Sequence, residues 1–91
     1  MGAVMIFHST YSLKTANRDT AEERFKATGG APPEGVKLLG RWHDAGGLHG
    51  FMISEASSAV DIAKWCREWT DVMEFEVTPV ISDEELASIM G

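Results

Sequence analysis

The sequence contains little that would cross-link or anchor a chain of this size. Cys66 is the single cysteine among 91 residues, which excludes an internal disulfide and favours a packing role for this thiol in a reducing compartment. The apolar run over residues 3–7 has no basic segment before it and is too short for a signal peptide or a membrane span. We therefore expect one cytoplasmic domain over residues 1–91 that makes no membrane contact.

Positive charge is also scarce. The chain has 8 basic and 14 acidic residues, for a net charge of −6. No lysine or arginine follows Arg67, so the last part of the chain is strongly acidic. Because phosphate contacts dominate affinity for nucleic acids, a chain with no basic stripe is not expected to bind them.

The alternation of apolar residues predicts four strands, and the helical spacing of apolar residues predicts three helices. We expect strands over residues 3–11, 36–44, 48–55 and 73–81, and helices over 17–28, from Ser57 or Ser58 to about Asp71, and from Ser82 onward. Pro79 cannot donate a backbone hydrogen bond, so the last strand is expected at a sheet edge.

Three helix ends carry recognisable capping signals. Thr20 with Glu23, or Asp19 with Glu22, predicts a capping box at the first helix, and Ser82 with Glu85 predicts one at the last. Gly29 is expected to end the first helix in the left-handed conformation.

The second and third strands are expected to form a hairpin whose loop is Ala45-Gly46-Gly47, with a glycine in the left-handed conformation. This loop fixes a register in which the following residues lie opposite each other: His43 and His49, Arg41 and Phe51, Leu39 and Ile53, Lys37 and Glu55. A two-residue Gly-Gly turn would instead place Asp44 opposite His49. In the favoured register His43 and Trp42 point to opposite faces of the sheet.

The order β-α-β-β-α-β with a short C-terminal helix is typical of the ferredoxin-like α+β class, in which two helices cover one face of a four-stranded antiparallel sheet. The opposite face is partly apolar in this sequence. Nothing else in the chain is available to cover it, so we expect a homodimer packed sheet to sheet.

Several short segments resemble one bacterial family. They are Met5-Ile6-Phe7, Glu23-Arg24-Phe25, Pro33-Glu34-Gly35, Arg41-Trp42-His43-Asp44, residues 51–55, Trp65 with Trp69, and Asp71 followed by residues 75–80. The pattern resembles domain of unknown function 3303 within the dimeric α/β-barrel superfamily. The resemblance implies a cleft between sheet and helices. It implies no particular chemistry, because members of the superfamily include cofactor-free monooxygenases, lactone isomerases, haem-binding enzymes and proteins without known catalysis.

The candidate site residues are concentrated around the hairpin. His43 and His8 are the candidate catalytic bases, since histidine titrates near neutral pH. The candidate ligand-binding residues are Trp42, His49, Arg41, Phe51, Trp65 and Tyr11. For the two hairpin histidines the alternative is a solvated pair at a strand end. For Trp65 and Trp69 the alternative is core packing on a helical stripe.

Three functional hypotheses remain open from the sequence, and none requires a cofactor. The first is a homodimer that binds a small apolar or aromatic molecule. The second is a cofactor-independent enzyme of monooxygenase or isomerase type with a histidine base. The third is a protein-interaction module. A metal site built from two histidines with Asp44 or Glu76 is disfavoured, because the sequence has no established ligand motif.

Overall fold

A computed structural model describes residues 3–91, so the first two residues of the predicted domain lie outside the described part. Within this range the chain forms four strands and three α-helices in the predicted order. The elements are β1 (Met5–Ser12), α1 (Arg18–Thr28), β2 (Val36–His43), β3 (His49–Ala56), α2 (Ala59–Arg67), β4 (Glu74–Val80) and α3 (Asp83–Ile89). A 3₁₀ turn over Thr15–Asn17 precedes α1.

The strands form one antiparallel sheet in the order β2-β3-β1-β4. The arrangement is α+β and compatible with the ferredoxin-like class. The strand that contains Pro79 lies at the edge, as predicted. Pro79 faces Phe7 of β1, and the fixed geometry of proline is tolerated at an edge because no further strand needs its missing N–H.

One face of the sheet packs against α2. The side chains of Phe7, Met52 and Ala56 on this face form a buried cluster with Ile62 and Trp65 of α2. A second cluster joins α1 to the segment after α2 through Ala21, Trp69 and Val72. Ala21 is the one buried residue of α1, so this helix stands away from the sheet and leaves space beneath it.

The helix ends agree with the sequence-based predictions at three of four places. Ser58 caps α2 by accepting a hydrogen bond from the N–H of Val60, and Ser82 with Glu85 forms a complete capping box at α3. Gly29 ends α1 with a φ of 69°. The helix predicted to run to about Asp71 ends at Arg67. Beyond it, backbone hydrogen bonds of the i→i−3 type replace the i→i−4 bonds of the α-helix.

The predicted capping box at α1 is wrong. The helix is entered through the 3₁₀ turn, and Asn17 at the N-cap already has a near-helical conformation and makes no side-chain cap hydrogen bond. Asp19 and Thr20 therefore lie inside the first turn. The acidic Asp19 still complements the positive end of the helix dipole there.

The predicted hairpin register is correct for its first part only. Lys37 lies opposite Glu55 as expected, but a β-bulge between Leu38 and Gly40 shifts every later pair by one residue. His43 is consequently opposite Gly50 and not His49, and Arg41 is opposite Met52 and not Phe51.

The loop of the hairpin is longer than predicted by one residue. Asp44 donates its N–H to the carbonyl of His49 at 2.8 Å, and Gly47 donates to Asp44 at 2.9 Å. Four residues, 45–48, are thus enclosed. The predicted left-handed glycine is Gly47, with a φ of 87°. The bulge, and not a two-residue turn, brings Asp44 opposite His49.

Candidate functional site

A cavity of about 330 Å³ lies between the helix-covered face of the sheet and the two helices. Its volume is at the lower end of the range for small-molecule sites. Most of its wall is apolar and aromatic, and the wall includes Tyr11, Ala21, Phe25, Arg41, His43, Trp65 and Trp69. No helix in residues 3–91 is long and apolar enough to cross a membrane.

The bulge in β2 decides which hairpin residues reach this cavity. Before it, Val36 and Leu38 point toward the helices; after it, Arg41 and His43 do. Without the extra residue, strict alternation would place Arg41 and His43 on the opposite face. Trp42 lies between them in sequence and points away from the cavity.

Tyr11 and His43 form the polar corner of the cavity. The Tyr11 hydroxyl lies 2.6 Å from Nδ1 of His43. Burial, with a smaller contribution from Asp44, raises the pKa of Tyr11 above its usual 10.0. The phenol is therefore protonated at neutral pH and has a proton available for this hydrogen bond.

Gly50 makes this hydrogen bond possible. Tyr11 and His43 lie on β1 and β2, and Gly50 of the intervening β3 is the register partner of both. A Cβ at position 50 would clash with the Tyr11 ring and lie 2.6 Å from the carbonyl oxygen of Trp42. Because glycine has no side chain, the Tyr11 ring crosses the central strand and reaches His43.

Arg41 and Phe25 form the wall next to this corner. The Arg41 guanidinium donates to the carbonyls of Gly30 and Gly29 at 2.8 and 3.0 Å, at the end of α1. It also lies 4.9 Å from the centre of the Phe25 ring, whose edge contacts His43. Partial burial lowers the pKa of Arg41 from its usual value, but an arginine remains charged at neutral pH.

Trp65 and Trp69 provide the aromatic floor of the cavity. They are 5% and 9% exposed, which agrees with the alternative that they pack in the core. Both also line the cavity. The Arg24 guanidinium lies 5.3 Å from the centre of the Trp69 indole. It also donates two hydrogen bonds of 2.8 Å to the carboxylate of Asp71, which fixes its position against the ring.

The remaining candidate residues lie on the outer face of the sheet. Trp42 is 54% exposed and stacks on Phe51 with ring centres 5.1 Å apart. Phe51 also contacts His8, at 5.6 Å. His49 is exposed at the end of β3, 3.9 Å from Asp44. Of the eight predicted site residues, four thus line the cavity and four lie on the outer face of the sheet.

Residues 3–91 contain no group of three or more histidine, cysteine, aspartate or glutamate side chains placed to hold a metal ion. Cys66 also lines the cavity, and burial raises the pKa of its thiol. This shift lowers the fraction of thiolate, the form that acts as a nucleophile or ligand.

Sequence reasoning missed the contribution of α1 to the cavity wall. Phe25 is the single aromatic residue on a polar helix, which was a usable signal. Arg18, Glu22 and Lys26 of the same helix also line the cavity. Charged residues spaced four apart on a helix usually form a solvated face, so the sequence did not indicate that these three line a cavity.

The fold and cavity define a small α+β domain with a partly open, mainly apolar site between sheet and helices. The family model described as domain of unknown function (DUF3303) matches residues 5–91, and the chain belongs to this family. The family description assigns no function. Comparison with curated proteins and with solved structures gave no match.

Proposed function

We propose that this protein is a cytoplasmic, single-domain homodimer of the dimeric α/β-barrel type that binds a small, mainly apolar molecule in the cavity between sheet and helices. The observation that supports binding is the combination of an aromatic floor with the polar corner formed by Tyr11 and His43. Sites for small molecules are commonly apolar clefts with a few placed polar groups that orient the ligand. Here Trp65 and Trp69 would contact the body of the ligand, and Tyr11, His43 and Arg41 would contact its polar end.

A substitution that fills the cavity tests this proposal. Ala21 is buried and lines the cavity, whereas Ala27 lies on the exposed side of the same helix. Binding of an aromatic probe such as 2-naphthamide is followed by quenching of tryptophan fluorescence. We expect Ala21→Phe to weaken binding about tenfold or more, by loss of the apolar contact area, and Ala27→Phe to bind as the wild type does. Equal binding by both variants, each shown to be folded by circular dichroism, would contradict the cavity as the site.

The proposed dimer forms through the outer face of the sheet. Trp42, Phe51 and Leu39 are exposed on or beside this face, and α3 exposes Leu86 and Ile89. Contiguous exposed apolar surface commonly marks an interaction site. A second copy supplies a matching apolar face and needs no further partner.

The elongated shape of the chain also supports association. Its radius of gyration is 14.5 Å, whereas a compact chain of this length has a value of about 12 Å. Within the described chain α3 buries none of its residues, so we expect a partner copy to cover it.

Light scattering after size exclusion tests the dimer. At micromolar concentration we expect a dimeric mass for the wild type, and a monomeric mass for Trp42→Glu, because the charge would be buried in the interface. Ala63→Glu, on the exposed side of α2, is the control and should stay dimeric. A monomeric wild type at that concentration would rule the dimer out.

A catalytic role is the second candidate, and the contact between Tyr11 and His43 favours it. A histidine within 2.6 Å of a phenol in a cavity has the geometry of an acid–base pair. This candidate corresponds to a cofactor-independent enzyme of monooxygenase or isomerase type with His43 as the base. Turnover that is lost in both Tyr11→Phe and His43→Gln, with ligand affinity retained, would support it over binding alone.

A further inference from the structure

We infer that the ligand of the cavity is an organic anion, an apolar or aromatic body that carries one carboxylate or equivalent acidic group, held at Arg41. This inference rests on the proposed binding function and specifies the class of ligand.

The charge lining the cavity is opposite in sign to the charge of the chain. The protein carries a net charge of −6, with 14 acidic and 8 basic residues. Among the residues that line the cavity, three are basic, Arg18, Lys26 and Arg41, and one is acidic, Glu22. A concave site enriched in one sign of charge concentrates ligands of the opposite sign.

The three cations differ in how well they are already neutralised. Arg18 is paired with Asp19 at 3.1 Å on the surface, and Lys26 is exposed at the rim. Arg41 is partly buried, and within residues 3–91 no carboxylate oxygen lies within 4.0 Å of its guanidinium. Its two hydrogen bonds go to the neutral carbonyls of Gly29 and Gly30. A partly buried cation without a counter-ion is costly, and an anionic ligand would remove this cost.

The position of Arg41 suits recognition of a carboxylate. The guanidinium is fixed from two sides, by the end of α1 and by the Phe25 ring at 4.9 Å, so its planar array of donors is held in one orientation. Two of its five N–H donors are used in these bonds, and guanidinium geometry matches that of a carboxylate. The Tyr11 hydroxyl and His43 lie on the same wall and supply further polar contacts to the same group.

A pair of probes with the same ring tests the inference. 2-Naphthoate carries a carboxylate, and 2-naphthamide is its neutral counterpart. Affinities are measured by calorimetry at about pH 8, above the ordinary titration range of histidine. We expect the wild type to bind 2-naphthoate about tenfold or more tightly than 2-naphthamide, the effect of one charge-assisted hydrogen bond. We expect Arg41→Gln to lose this preference, whereas Lys37→Gln, on the same strand but on the outer face, keeps it.

The outcomes separate the inference from the proposed function. Equal affinity of the wild type for both probes would overturn the inference and leave the binding function standing. Absence of binding by either probe would contradict both. A preference that persists in Arg41→Gln would show that another group holds the anion.

Since Arg41 also holds the end of α1, the substituted protein could unfold. The same question is then answered on the wild type, from the ¹H–¹⁵N signal of the Arg41 side chain. The chemical shift of this signal should change on addition of 2-naphthoate and remain unchanged on addition of 2-naphthamide. No shift with 2-naphthoate would overturn the assignment to Arg41.

Discussion

Tyr11 and His43 belong to strands that are not neighbours, and they meet because Gly50 between them has no side chain. The hydroxyl of Tyr11 reaches Nδ1 of His43 at 2.6 Å across the central strand. This row of three residues creates the polar corner of a cavity that is otherwise apolar. Glycine opposite an aromatic residue in an antiparallel sheet is a known device that lets the ring cover the backbone.

Substitution of Gly50 should therefore damage both stability and the polar corner. Gly50→Ala would force the Tyr11 ring away from β3 and crowd the carbonyl of Trp42. We expect a loss of about 1–3 kcal/mol in the free energy of unfolding, the usual range for overpacking, measured by urea denaturation. Gly46→Ala is the matched control, since nothing lies within 4 Å of a Cβ there. Equal stability of the two variants would contradict the close packing of Tyr11 on Gly50.

Gly29 and Gly30 at the end of α1 allow backbone strain to be separated from side-chain contact. Both have positive φ, 69° and 59°, so alanine at either position should cost about 1–2 kcal/mol of stability. Only at Gly30 would the added Cβ also lie 2.9 Å from Phe25 and from Arg41. We expect Gly30→Ala to be the more destabilising variant and to weaken ligand binding. Thermal unfolding of the two variants under the same conditions should show this order, and the reverse order would contradict the wall described for the cavity.

The ion pair between Arg24 and Asp71 should make the free energy of unfolding depend on pH in the acid range. The hydrogen bonds from Arg24 lower the pKa of Asp71 below its usual 3.8. A carboxylate with a lowered folded-state pKa stabilises the fold above its unfolded pKa, and this stabilisation is lost as the pH falls toward the folded value. Arg24→Gln should reduce the loss of stability in this acid range, measured by denaturant unfolding at a series of pH values. Arg18→Gln, which breaks the exposed pair with Asp19, should leave the profile unchanged.

We expect the natural residue at Ser54 to lower the stability of the fold. Its side chain is fully buried on β3, and in the part of the chain that the structure describes its hydroxyl has no hydrogen-bond partner. Removal of an unsatisfied buried hydroxyl relieves its desolvation cost. We expect Ser54→Ala to raise the free energy of unfolding by about 1 kcal/mol, whereas exposed Ser57→Ala should change it little. A destabilised Ser54→Ala would mean that the hydroxyl has a partner.

The fold was largely predictable because most of its signals are local. Ser58, Ser82 with Glu85, and Gly29 act within one helical turn, and Pro79 restricts its own strand to an edge. Such signals survive in a single sequence because both partners are close together along the chain.

The candidate site was only partly predictable, because a bulge reversed the faces of the β2 residues that follow it. Strict alternation predicted that Arg41 and His43 lie on the same face of the sheet as Phe51. The extra residue near Leu39 instead turns Arg41 and His43 toward the helices. Gly40 within an apolar strand was the available signal, since glycine in a strand often marks a bulge. The pairing of Arg24 with Asp71 gave no such signal, because 47 positions separate the two residues.

The three indole groups give the most direct test of the central claim, that the cavity between sheet and helices is a binding site. Trp65 and Trp69 line the cavity, and Trp42 lies on the outer face. In ¹H–¹⁵N spectra of the protein titrated with 2-naphthoate, we expect shifts of the Trp65 and Trp69 indole N–H signals, with the Trp42 signal unchanged. Shifts confined to Trp42 would contradict it and place the ligand on the outer face of the sheet.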